Sequence, residues 1–99
     1  MMTLDELRAT LGSPAAPSGL PQTILALWHD ARGDWETAHR VAQDIDGRDG
    51  AWIHAYLHRK EGDLGNAGYW YRRAHRPVAT GPIEAEWEAI ARELLSRPA

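Results

Sequence analysis

The chain has 99 residues, 43% of them hydrophobic, a formal net charge of −3 and no cysteine. This length makes a single domain, residues 1–99, that buries only about 60 to 65 per cent of its unfolded surface, and without cysteine a disulfide framework, a thiolate metal site and a cysteine nucleophile are all excluded. The N-terminal stretch MMTLDELRATL is acidic where a secretory leader would be basic and then apolar, and the longest apolar run, Ile24 to Trp28, is too short for a bilayer, so a soluble, cytoplasmic protein with no membrane partner is expected.

Six helices are predicted along the chain. Thr3 with Glu6 three residues on forms a capping box, and Leu4, Leu7 and Leu11 share one face, which gives a helix over 4–11. Gly12 ends it, and residues 12–20, rich in Pro, Ser and Gly, read as a linker. Pro21 suits a first helical turn, the stripe Ile24, Leu25, Leu27 and Trp28 runs on to Arg32, and Gly33 stops it. Asp34 is then an N-cap for a helix carrying Ala38, Val41, Ala42 and Ile45, with Gly47 as its stop, so that 21–46 forms one hairpin. The same grammar repeats over 51–76: Ala51 to Glu61, Gly62 and Asp63 at the turn, then Leu64 to Arg76 before Pro77. A last helix over 82–96 opens at Pro82, carries Ile83, Trp87, Ile90, Ala91 and Leu94 at helical spacing, and is closed by Pro98. No segment reads as a strand, so the class is all-α.

Two of these segments align at an offset of 29 residues. LWHDARGDWETAHRVA (27–42) matches YLHRKEGDLGNAGYWY (56–71), pairing His29 with His58, Gly33 with Gly62, Asp34 with Asp63 and Ala38 with Ala67. Internal periods of this size belong to arrays of helical hairpins, each too small to cover its own apolar stripe. The segments GDWETAHRVA and GDLGNAGYWYRRA resemble the turn and second helix of tetratricopeptide repeats, with Ala26, Ala55 and Ala74 on other small positions of that pattern. The resemblance covers 21–77 and implies two stacked antiparallel hairpins, flanked here by an N-terminal and a C-terminal capping helix. The chain departs from the family in its spacing, 29 residues instead of about 34, and in having two units where about three make a groove. The stretch WIHAYLHRKEGDLGNAGYWYRRA is also similar to one in a family of small bacterial proteins of unassigned function, which implies no activity.

Repeat register places Ile24, Leu27, Trp52, Ile53 and Tyr56 on a concave face, together with Asp30, Arg59 and Lys60. Either a terminal helix covers this apolar surface or a partner does. With the second outcome the protein is a small interaction or adaptor module without catalysis. It would take a protein, a peptide or a second copy of itself through Trp52, Ile53, Tyr56, Arg59, Lys60, Tyr69 and Arg73, and would need no cofactor.

The alternative centres on histidine. His54 and His58 are an i, i+4 pair, Glu61 continues their face, and His29 or His75 offers a further imidazole. Two nitrogens and a carboxylate at this spacing suit a divalent transition metal or acid–base work. The pair lacks the intervening Glu of a zincin helix, and neutral imidazoles hydrogen-bonded inside the core explain the spacing equally well.

Charge is uneven, with −3 over 20–47, +3 over 48–76 and −2 over 82–99. Internal ion pairs between the basic middle and its acidic neighbours account for this without a ligand. The run YWYRRAHR (69–76) sets aromatic rings beside guanidinium groups, the composition of a nucleic-acid contact, but the acidic balance and the lack of a long basic stripe disfavour that partner.

Overall fold

A computed structural model describes residues 2–97 and shows six α-helices and, among those residues, no strand: α1 (Leu4–Ala9), α2 (Gln22–Ala31), α3 (Trp35–Gln43), α4 (Gly47–Glu61), α5 (Leu64–Ala74) and α6 (Ile83–Leu95). The fold is all-α. Pro98, expected to close the last helix, lies outside the described residues. None of the helices is long and apolar enough to cross a membrane.

The local signals operate as their chemistry requires. Thr3 and Glu6 form the reciprocal box: the Glu6 amide donates to Thr3 Oγ1 at 3.1 Å and the Thr3 amide to Glu6 Oε1 at 2.8 Å. At both hairpin turns the glycine takes a left-handed conformation, φ 83° at Gly33 and 93° at Gly62, which a side chain would resist. The aspartate that follows caps the next helix, Asp34 accepting from the Thr37 amide and Asp63 from the Asn66 amide.

α3 ends at Gln43 and α5 at Ala74, short of the expected 46 and 76, and two further boundaries differ for reasons the structure shows. α1 ends at Ala9 instead of 11 because Thr10 turns its hydroxyl back onto the Leu7 carbonyl, at 2.6 Å, while receiving the Trp28 indole N–H at 3.1 Å. A hydroxyl spent in this way competes with the helical ladder. α4 begins at Gly47, four residues before the predicted Ala51, and Gly47 opens this helix where it was expected to close α3. Glycine in a helix interior ordinarily argues for a break, but a Cβ at Gly50 would run into the Ile45 carbonyl. Its absence lets the α3–α4 connection cross tightly over the first turn of α4.

Packing makes α4 the centre. It lies against α5, α3, α2 and α6, and every residue from Gly50 to His58 is buried. α2 packs on α3, while α6 packs on α2 and α4 and also on α1. Trp87 of α6 donates its indole N–H to the Leu27 carbonyl at 3.0 Å, and Ile90 is fully buried. α6 therefore packs on both helices that were to line an open groove. Trp52, Ile53 and Tyr56, expected as partner-binding residues, are core residues with exposures of 8%, 0% and 1%.

Below α6 the polar tips of the core are paired. The Tyr56 hydroxyl donates to Asp30 Oδ2 at 2.6 Å and Lys60 Nζ lies 2.9 Å from Asp30 Oδ1. The Tyr71 hydroxyl donates to Glu86, which also receives Arg59 Nη1 at 3.0 Å. Asp30 and Glu86 are themselves buried, at 1% and 7% exposure. With no phenylalanine in the chain the large core rings other than imidazole are Trp and Tyr, and no buried side-chain nitrogen or oxygen among the described residues lacks a partner. Arg59 and Lys60, expected to face a partner, are thus committed to Glu86 and Asp30.

Candidate metal centre

On the side of α4 that meets α3 and α5, three imidazoles converge. His54 and His58 stand one turn apart on α4 with rings stacked, centroids 5.0 Å apart and planes 16° apart. His39 enters from α3 edge-on to both, at 4.6 Å from His54 and 5.1 Å from His58. One ring nitrogen from each of the three lies within 4.8 Å of the others. The closest approach is between His54 Nε2 and His39 Nε2, 2.8 Å, a hydrogen bond in which one imidazole donates and the other accepts.

Tryptophans hold the cluster from two directions. Trp35, four residues before His39 on α3, stacks on it at 4.8 Å and 10°, and its indole N–H donates to the Leu57 carbonyl of α4 at 2.8 Å. Trp70 of α5 stacks on His54 at 4.0 Å and 10°. Each ring is thus fixed by packing against a flat partner. Glu61 completes the arrangement: its Oε2 sits 2.7 Å from His58 Nδ1, the carboxylate–imidazole contact that sets which ring nitrogen is turned toward a metal.

Electrostatics favours the ligating form. Burial, followed by the neighbouring His39 and His58, pushes the His54 imidazole down to about 4. His39 is also lowered, first by burial and then by His58, with Glu61 opposing. Both rings are neutral near pH 7, and neutral imidazole is the metal ligand. A tetrahedral ion with nitrogen ligands at about 2.0–2.1 Å would hold them about 3.3 Å apart. Seating it between His39 and His54 exchanges their hydrogen bond for two coordinate bonds at a displacement of about 0.5 Å.

Of the histidine set expected from sequence, the structure brings together His54 and His58, with Glu61 against the outer nitrogen of His58. His29 is elsewhere: it is half-buried on α2, edge-on to Trp28 at 5.2 Å. The helical pitch of α2 and its packing against α3 put it outside the cluster. His75 is exposed at the end of α5 and lines a neighbouring cleft. The residue that sequence reasoning missed is His39. Its counterpart 29 positions on is Gly68, so the repeat gave no pointer to it; the usable signal was Trp35 and His39 at i, i+4 beside the small Ala38. Glu61 also lies within ligand distance of His58 and the exposed Asp63, a second and more open grouping.

The remaining partner-binding residues from the sequence, Tyr69 and Arg73, do reach the surface. Tyr69 is 45% exposed, and Arg73 Nη1 donates to its hydroxyl at 3.2 Å. Comparison with known proteins returned no matching family model, no matching curated protein and no matching solved structure.

Proposed function

We propose that this protein binds a divalent transition metal ion of the zinc, nickel or cobalt type through His39, His54 and His58. The observation that carries the reading is the convergence of one nitrogen from each ring within 4.8 Å. The clamping of two rings by Trp35 and Trp70 and the carboxylate on His58 support it. An all-imidazole set of borderline ligands suits these ions better than magnesium or calcium, which take oxygen. Three ligands leave a fourth position for water or an added ligand. The ion would tie α3 to α4, and no catalytic step is assigned to it.

The test is calorimetric titration of the chelator-stripped protein with zinc, nickel and cobalt, with the cobalt spectrum recorded in parallel. Saturable binding at one equivalent, with tetrahedral cobalt absorption that His39→Gln abolishes, is the expected result. Because His39 is only half-buried, that variant retains the fold, and its far-UV dichroism checks this. No binding by the wild-type chain overturns the reading and leaves the imidazoles as packing groups.

A second reading, the interaction module, rests on the exposed Tyr69 with Arg73 one turn later on the outside of α5. Its occupant is a protein or peptide, a second copy of this chain being the simplest. Sedimentation equilibrium that shows only monomer at high concentration removes the second copy.

A further inference from the structure

We infer that the cleft beside the histidine cluster is an anion site, built for a small phosphate monoester. The cleft has a volume of about 710 Å³ and lies between the α3–α4 connection and α5, with Arg48, Arg73 and His75 on its walls, Asp46 as its one carboxylate, and His54 and Trp70 at its inner end.

Charge is the first observation. The two arginines outweigh Asp46 in a chain whose overall charge is −3. Three of the six cations of the basic segment are paired internally, Arg59 with Glu86, Lys60 with Asp30 and Arg76 with Glu93. Among the described residues no carboxylate pairs with Arg48 or Arg73. Of the three that remain, Arg48 and Arg73 line this one cleft while Arg72 does not, and at a concave surface field lines from low-dielectric walls add.

Preorganisation is the second. Arg73 lies over the rings of Tyr69 and Trp70, at 5.6 and 5.4 Å, and uses one N–H on the Tyr69 hydroxyl. The remaining donors of its planar fork stay available for an oxyanion. His75 is the only non-glycine among the described residues with positive φ, at 57°. Glycine or asparagine is the usual choice where a helix closes in this conformation, so an imidazole held there at some cost in strain adds a donor to the wall. Arg48 and His75 also line an adjoining cleft of about 590 Å³, together with Asp46, Asp49 and the paired Arg76 and Arg97.

The chemistry of the walls selects the ligand. Two guanidinium groups and an imidazole match a dianion with three terminal oxygens, whereas one arginine fork would already satisfy a carboxylate. Trp70 is stacked on His54 and crossed by Arg73, so it closes the inner end without offering a free face to a nucleobase.

The inference goes beyond the metal reading and does not depend on it, and the experiment keeps the two apart. The full chain, stripped of metal by a chelator, is titrated with inorganic phosphate and with glycerol 2-phosphate at constant ionic strength, following backbone amide and arginine Nε–H signals by NMR. Saturable shifts at Arg48, Arg73 and His75 are expected. Arg48→Gln and Arg73→Gln should each weaken binding about tenfold, while Arg40→Gln, a surface change outside the cleft, and His39→Gln leave it unchanged. Shifts that chloride or acetate reproduce, or that survive both cleft substitutions, overturn the inference. Loss of metal binding in His39→Gln with phosphate binding intact separates the fate of this site from that of the metal centre.

Discussion

Trp70 lies flat on His54, with ring centroids 4.0 Å apart and planes 10° apart, so that a side chain of α5 holds an imidazole of α4 in place. The contact joins the two most extensively packed helices at the edge of the imidazole cluster. It also keeps water from the ring, and exclusion of water is the first cause of the low basicity of His54.

Removing that cover has two separable effects. Trp70→Ala should destabilise the fold by about 2 kcal/mol, less than a fully buried tryptophan because the side chain is only half-buried. The same change should return the His54 imidazole toward its ordinary range by admitting solvent. Trp70→Phe keeps the stacking face and should show a small part of each effect. Urea unfolding reads the first and NMR titration of the His54 ring protons the second. An unchanged His54 titration in Trp70→Ala would mean that His39 and His58, not burial, set its value.

Acid stability follows from the same group. The folded chain holds His54 neutral down to about 4, whereas the unfolded chain takes up that proton near 6.5. Between those values the unfolded state binds more protons, so stability rises with pH across the window and is lost on acidification through it. His39, also lowered, acts in the same direction. His58 and Glu61 on α4, His39 on α3, and Arg73 over Trp70 on α5 are the titratable and charged groups around the ring. The loss attributable to His54 is on the order of 2 kcal/mol, since the cleft leaves part of the ring edge open to screening. Chemical denaturation of the metal-free protein at pH 7, 5.5 and 4.5 should show the decline, and His54→Gln should flatten it. At lower pH Glu88 and Glu93, held down by Arg8 and Arg76, add a further loss.

How far the sequence could be read divides along the range of the interactions. Helix identity came from local signals, the Thr3–Glu6 box and the Gly-Asp turns at 33–34 and 62–63, and these are decided within a few residues. Gly47 reads as a helix stop because glycine in a helix is locally unfavourable, while the reason α4 carries a glycine at 50, the approach of the Ile45 carbonyl, exists only in the folded connection. His54 and His58 were recognisable as a pair because a helix places i and i+4 on one face. His39 was not, since its ring meets theirs only when α3 packs against α4. Charge balance points to internal pairs between the basic middle and its acidic neighbours but not to their depth, and the burial of Asp30 and Glu86 depends on Tyr56, Lys60, Tyr71 and Arg59 arriving from other helices.

Glycine offers a paired test of the turn chemistry. Gly62 holds φ 93° at the end of α4 with open space around it, so Gly62→Ala meets no clash and isolates the cost of the left-handed backbone, about 1 kcal/mol of destabilisation. Gly65 lies in the first turn of α5, also with nothing near. There Gly65→Ala should stabilise by about 0.5 kcal/mol through helix propensity and a less flexible unfolded chain. Thermal melts of the two variants should move in opposite directions. A shared direction would show that the backbone at one of these positions is not as described.

Glu86 provides the sharpest test of the core. Its carboxylate is almost inaccessible and serves both the Tyr71 hydroxyl and the Arg59 guanidinium, which also donates to the Gly81 carbonyl. Glu86→Ala strands a largely buried cation and a buried hydroxyl together, and a loss of about 3–5 kcal/mol is expected, enough to unfold much of a small domain at 37 °C. Glu86→Gln retains an acceptor for Tyr71 but leaves Arg59 without its counter-charge, so its cost should be intermediate. The double variant Glu86→Leu, Arg59→Met replaces the ion pair with apolar groups of similar length and should recover a substantial part of the single-alanine loss. Equilibrium denaturation of the three proteins gives the comparison. If the double variant is no more stable than Glu86→Ala, then the Arg59 bond to the Gly81 carbonyl, which only the double variant loses, stabilises as much as removal of the stranded cation does.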